Sequence, residues 1–68
     1  MIRKHVTSTN ISSVGYVDDI LEVEFNNGSV YRYFGVPERH YTQMANFAHP
    51  GTYFARNVKN AYRYVRVK

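Results

Sequence analysis

The segment from Ile20 to Tyr33 constrains the fold more tightly than any other part of the chain. Leu21, Val23 and Phe25 alternate with Ile20, Glu22 and Glu24, a period of two that puts apolar side chains on one face of a strand and carboxylates on a solvated opposite face. Asn26-Asn27-Gly28 supplies residue types that tolerate a positive φ, so the run should fold back into Val30-Tyr31-Arg32-Tyr33. Loop length then decides which side chains share a face. A two-residue loop at Asn27-Gly28 would pair Phe25 with Val30 and force Arg32 onto the apolar face beside Val23. A three-residue loop, a type I turn closed by a glycine bulge, sets Glu22 opposite Arg32, Val23 opposite Tyr31 and Leu21 opposite Tyr33. This second register is the predicted one. It avoids a buried guanidinium, whose desolvation costs on the order of several kcal/mol, and it adds a cross-strand ion pair contributing roughly 0.2–1 kcal/mol.

The flanking segments extend this hairpin into a small single domain over residues 1–68. There is no cysteine and the three histidines are separated, so neither disulfides nor a structural metal is expected and the chain must fold on packing alone. Ile11, Val14 and Tyr16 suit an entry strand, followed by a turn at Asp18-Asp19. Pro37 fits the first turn of a helix with Glu38 at its positive end, and Tyr41, Met44, Ala45 and Ala48 form an apolar stripe at helical spacing. His49-Pro50-Gly51 should stop that helix. A second short helix from Thr52 would turn Phe54, Val58 and Ala61 inward, with Tyr53 outward and Arg56, Lys59 and Arg63 along a neighbouring face. Alternation returns from Tyr62 to Val67 and predicts a closing strand. The expected fold is α+β: a small antiparallel meander of three or four strands packed with one or two short helices. Its expected core contains Leu21, Val23, Phe25, Tyr31, Tyr33, Tyr41, Phe54 and Val58.

Charge is distributed unevenly along the chain. All carboxylate side chains fall between Asp18 and Glu38, whereas Gly51 to Lys68 carries Arg56, Lys59, Arg63, Arg66 and Lys68 with Tyr53, Phe54, Tyr62 and Tyr64 interleaved. Those residue types can neutralise phosphates and stack on bases. A net charge of +4 also favours anionic partners in general. No apolar run has the length of a signal peptide core or a membrane span, so a cytoplasmic protein without a membrane partner is expected.

The order Ser8-x-Asn10-Ile11, Gly15-Tyr16, Leu21-x-Val23-x-Phe25, Gly28-x-Val30-Tyr31-x-Tyr33, Val36-Pro37, Tyr41, Gly51-x-Tyr53-Phe54, Val58 and Tyr62 resembles the KTSC domain family across nearly the whole chain. The most specific elements are Tyr31-Arg32-Tyr33 followed by Val36-Pro37, and Gly51-Thr52-Tyr53-Phe54 at the matching separation. The chain departs from the family pattern at His49-Pro50 and at Ala55. The family takes its name from the C-terminus of some lysyl-tRNA synthetases and also occurs as short free-standing bacterial or phage-type proteins. Through that association the resemblance implies an RNA-binding role.

Catalysis is not expected, because His5, His40 and His49 lie far apart without a paired acid and no thiol nucleophile exists. No loop of phosphate-cradling pattern appears, so no cofactor is expected. The leading expectation is a module binding RNA or another single-stranded nucleic acid without strong sequence preference. Arg56, Lys59, Arg63 and Arg66 would neutralise phosphates while Tyr64 and Tyr53 stack on bases. The alternative is a protein-interaction module that offers its basic face to an acidic protein or an open strand edge to another chain, as a monomer or weak homodimer.

Overall fold

The computed structural model describes residues 1–46 and 48–68. Five strands, β1 (Arg3–His5), β2 (Ile11–Val17), β3 (Ile20–Phe25), β4 (Val30–Phe34) and β5 (Tyr64–Arg66), form one antiparallel sheet in chain order. Two helices, α1 (Glu38–Asn46) and α2 (Pro50–Asn57), connect β4 to β5. Met44 of α1, Phe54 of α2 and Val58 just beyond it bury against Ile11, Val14, Leu21, Val23 and Tyr33 of the sheet. Phe25, Tyr31 and Tyr41 pack half-buried around that centre.

The central hairpin has the predicted register. Leu21 lies opposite Tyr33, Glu22 opposite Arg32 and Val23 opposite Tyr31. The Gly28 amide donates to the Phe25 carbonyl and the Phe25 amide to the Ser29 carbonyl, each at 2.9 Å. Gly28 itself sits at φ +91°, a left-handed conformation that disfavours most other residues. Asn26-Asn27-Gly28 is therefore the expected turn with its glycine bulge. Asp18 and Asp19, at φ +50° and +64°, close the preceding hairpin, and aspartate tolerates that region better than most side chains. The uneven spacing of Ile11, Val14 and Tyr16 has a local cause: the β2–β3 register shifts between Ile11 and Ser13, so a bulge returns Ile11 to the core side.

The sheet has five strands where three or four were expected. The additional strand, β1, is Arg-Lys-His, which carries no apolar alternation to announce it. Its place depends on a distant glycine. Arg3 lies opposite Gly15, and a Cβ added at Gly15 would stand 2.7 Å from the Ile2 carbonyl oxygen and 3.0 Å from Arg3 Cγ. Gly15→Ala is accordingly expected to displace β1 and to cost about 1–3 kcal/mol of stability. Amide hydrogen exchange should then accelerate selectively at Val6, whose N–H donates to the Ser12 carbonyl at 3.1 Å, and at Lys4, the amide two residues earlier that points the same way; unchanged protection there would contradict this role.

The helices also differ from the sequence expectation. Met44 is buried and Tyr41 and Ala45 are half-buried, but α1 ends at Asn46 and Ala48 is exposed beyond it. Helix α2 begins at Pro50, two residues before the expected Thr52, because proline at the first helical position forfeits no intrahelical hydrogen bond. It ends at Asn57, leaving Ala61 exposed instead of inward.

The face of the sheet opposite the helices is less solvated than expected. Glu22 is only 4% exposed. Its carboxylate accepts from Arg32 Nε at 2.7 Å and from Arg3 Nη1, which reaches it across the side-chain-free Gly15. Arg3 Nε also donates to Ser13 Oγ at 2.9 Å, and Ser13 Oγ donates to Glu24 Oε1 at 2.8 Å. Among the described residues, no buried side-chain nitrogen or oxygen lacks a hydrogen-bond partner.

Candidate nucleic-acid interface

The helix-facing side of the β3–β4 hairpin is not fully covered by α2, and a cleft of about 610 Å³ opens between them. Aromatic rings dominate its wall because the same alternation that buries Val23 and Leu21 also presents Phe25, Tyr31 and Tyr33 to this side. Strand β5 extends the wall. Tyr64 pairs with Tyr33, and its ring centroid lies 5.4 Å from that of Tyr33 and 5.6 Å from that of Tyr31. Tyr31 and Tyr33 stack at 6.5 Å, so three tyrosines form one continuous aromatic surface, with Phe54 edge-on to Tyr33 at 5.3 Å. Burial pushes the pKa of the Tyr33 hydroxyl up to about 12, with the neighbouring Tyr64 and Tyr31 contributing in the same direction. Tyr33 is thus a neutral hydrogen-bonding group at physiological pH, while Tyr64 remains 55% exposed.

The cations expected on one helical face do not share one. Lys59 lies past the end of α2 and lines the cleft. Arg56 is exposed on α2 and does not line it. Arg63 borders a shallower groove with Phe34, Tyr62 and Val65. Arg66 stands opposite Tyr31 on β5, its Nε donating to the Lys68 carbonyl at 2.9 Å. The physical reason is the early end of α2 at Asn57, which breaks the helical periodicity that would have aligned Arg56, Lys59 and Arg63.

Tyr53 does not point outward as expected. It is half-buried, and its hydroxyl meets His40 Nδ1 at 2.7 Å in the contact between α1 and α2. Burial holds the His40 imidazole below its usual pKa, with Arg39 adding to the effect. The neutral ring and the tyrosine hydroxyl share one hydrogen bond, in which Nδ1 accepts when the ring proton sits on Nε2 and donates when it sits on Nδ1. This arrangement leaves Tyr64 as the exposed ring of the basic segment.

Sequence reasoning did not anticipate the polar side chains at the cleft. Asn10, before β2, and Asn60, after α2, both line it beside Lys59. They are 50 positions apart in the chain, so no local pattern links them. Among the described residues, no cluster of three or more His, Cys, Asp or Glu side chains could hold a metal ion. No described helix is long and apolar enough to cross a membrane.

The KTSC domain model matches residues 7–64. This chain belongs to the KTSC family. The crystal structure of a KTSC domain protein from Yersinia pestis shares 31% sequence identity with it and superposes at a TM-score of 0.87, covering 98% of this chain and 97% of that one. The α+β fold of this KTSC domain, including the meander and its two helices, thus agrees with a solved relative over essentially its full length. No curated protein matches the chain.

Proposed function

We propose that this KTSC domain is a non-catalytic cytoplasmic module that binds single-stranded nucleic acid, RNA foremost. The observation that carries this reading is the aromatic cleft, whose sole charged lining residue among those described is Lys59, continued along β5 by the exposed Tyr64 and by Arg66. Aromatic surface bordered by cations is what sequence-tolerant single-strand binding requires: stacking contributes per base, and cations pair with the backbone. Arg56 and Arg63 extend the positive surface without entering the cleft.

Fluorescence anisotropy with labelled single-stranded RNA tests the reading. Four phosphate contacts, by Arg56, Lys59, Arg63 and Arg66, give a log–log salt slope of about −2.8, equivalent to roughly fiftyfold weaker binding at 200 mM than at 50 mM salt. A Lys59→Glu/Arg66→Glu variant should lower that slope to about −1.4. Absence of binding at 50 mM salt would refute the proposal. A second reading is favoured by the short edge strand β5, all three of whose residues are exposed: another chain could add a strand there, with binding nearly indifferent to salt.

A further inference from the structure

Resting on the single-strand reading above, we infer that the cleft between the hairpin and α2 is a base-reading site that seats one nucleotide of the strand. The base stacks on Tyr64, its edge meets the side-chain amides of Asn10 and Asn60, and its phosphate pairs with Lys59. This goes beyond a sequence-tolerant surface, because it requires the bound strand to be discriminated by base.

The cleft combines the elements that such a site needs. Its volume of about 610 Å³ falls in the roughly 300–1,000 Å³ range of small-ligand sites. Tyr64 covers Tyr31 and Tyr33 yet stays 55% exposed, so it retains accessible ring surface for a further aromatic. Other amides at the cleft are already engaged within the protein. Asn26 accepts from Ser12 Oγ and donates to the Ser8 carbonyl, while Asn27 Oδ1 accepts from Ser29. Among the described residues, the side-chain amides of Asn10 and Asn60 carry no such bond, although both line the cleft. An amide presents a donor and an acceptor together, which matches the edge of an unpaired base. Among the described residues, the lining contains Lys59 and no carboxylate, so a phosphate is attracted and meets no opposing charge.

A proline-rich peptide is the competing occupant, since such peptides also dock in aromatic-lined grooves. It would leave Lys59 without an anion, and the charge at this cleft therefore favours the nucleotide.

The test compares four labelled RNA decamers, each of one base, with a decamer of the same backbone carrying abasic sites, all at 50 mM salt. A proline-rich decapeptide is measured alongside. The abasic strand should bind roughly 5- to 150-fold more weakly than the preferred intact strand, and the four bases should differ by about tenfold or more. Tyr64→Ala should weaken the intact strand but not the abasic one, and Asn60→Ala should flatten the base preference; circular dichroism verifies that both variants fold. Equal, salt-sensitive binding of intact and abasic strands would overturn the base site while leaving the single-strand reading standing. Failure of every RNA to bind would overturn both. Preferential binding of the peptide would assign the cleft to a protein ligand and overturn the base site.

Discussion

Phe54→Ala is expected to leave the protein largely unfolded. The Phe54 ring is buried between α2 and the sheet, edge-on to Phe25 at 5.6 Å and to Tyr33 at 5.3 Å. Truncating a buried phenylalanine costs about 3–5 kcal/mol, because transfer free energy is lost and the cavity only partly collapses. A domain of this length has on the order of 3–10 kcal/mol of total stability. There is little reserve. Urea unfolding followed by circular dichroism should show the midpoint moving close to zero denaturant, whereas Phe54→Leu, which keeps most of the volume, should retain a cooperative transition. A loss below about 1 kcal/mol for the alanine variant would mean that Phe54 does not anchor α2. Because Phe54 also lines the cleft, its alanine variant would lose binding through unfolding, which is why exposed Tyr64 is the better probe of function.

Glu22→Ala should be the second most damaging substitution, at about 2–4 kcal/mol. Removing one partner of a buried ion pair leaves the others uncompensated, which typically costs about 3–5 kcal/mol; partial exposure of Arg3 and Arg32 brings the expected value down. The same group predicts an acid limb in stability. Burial alone would raise the Glu22 carboxyl, but the hydrogen bonds from Arg32 and Arg3 outweigh it and hold the group below its ordinary value. A carboxylate depressed in the folded state contributes stability that is fully present above its unfolded pKa, about 4.3, and is lost as pH falls through the lower folded value. Urea midpoints of the wild type and Glu22→Gln, measured from pH 7 to pH 2, should therefore differ most above pH 5 and converge below pH 4. A constant difference across that range would show that the Glu22 charge contributes nothing.

The hairpin and the candidate site were unequally legible. The register of Leu21, Glu22 and Val23 against Tyr33, Arg32 and Tyr31 followed from alternation and from the Asn26-Asn27-Gly28 turn, because both are local and both favour the same loop length. The basic, aromatic C-terminal segment was equally visible, and Lys59, Tyr64 and Arg66 do lie at or beside the cleft. The direction of Tyr53 was not visible, since its partner His40 lies on another helix. Nor was the burial of Glu22, which looked like any solvated strand carboxylate until Arg3 arrived across Gly15.

The hairpin, its turn and the apolar face that becomes the core are written in local sequence, because side-chain alternation and turn chemistry act over a few neighbouring residues. The edge strand formed by Arg-Lys-His, the start of α2 at Pro50 and its end before Lys59, and the meeting of Asn10, Asn60 and Tyr64 around one cleft emerge from the assembled fold. Those outcomes depend on close packing between segments far apart in the chain, and no periodicity within a single segment encodes them.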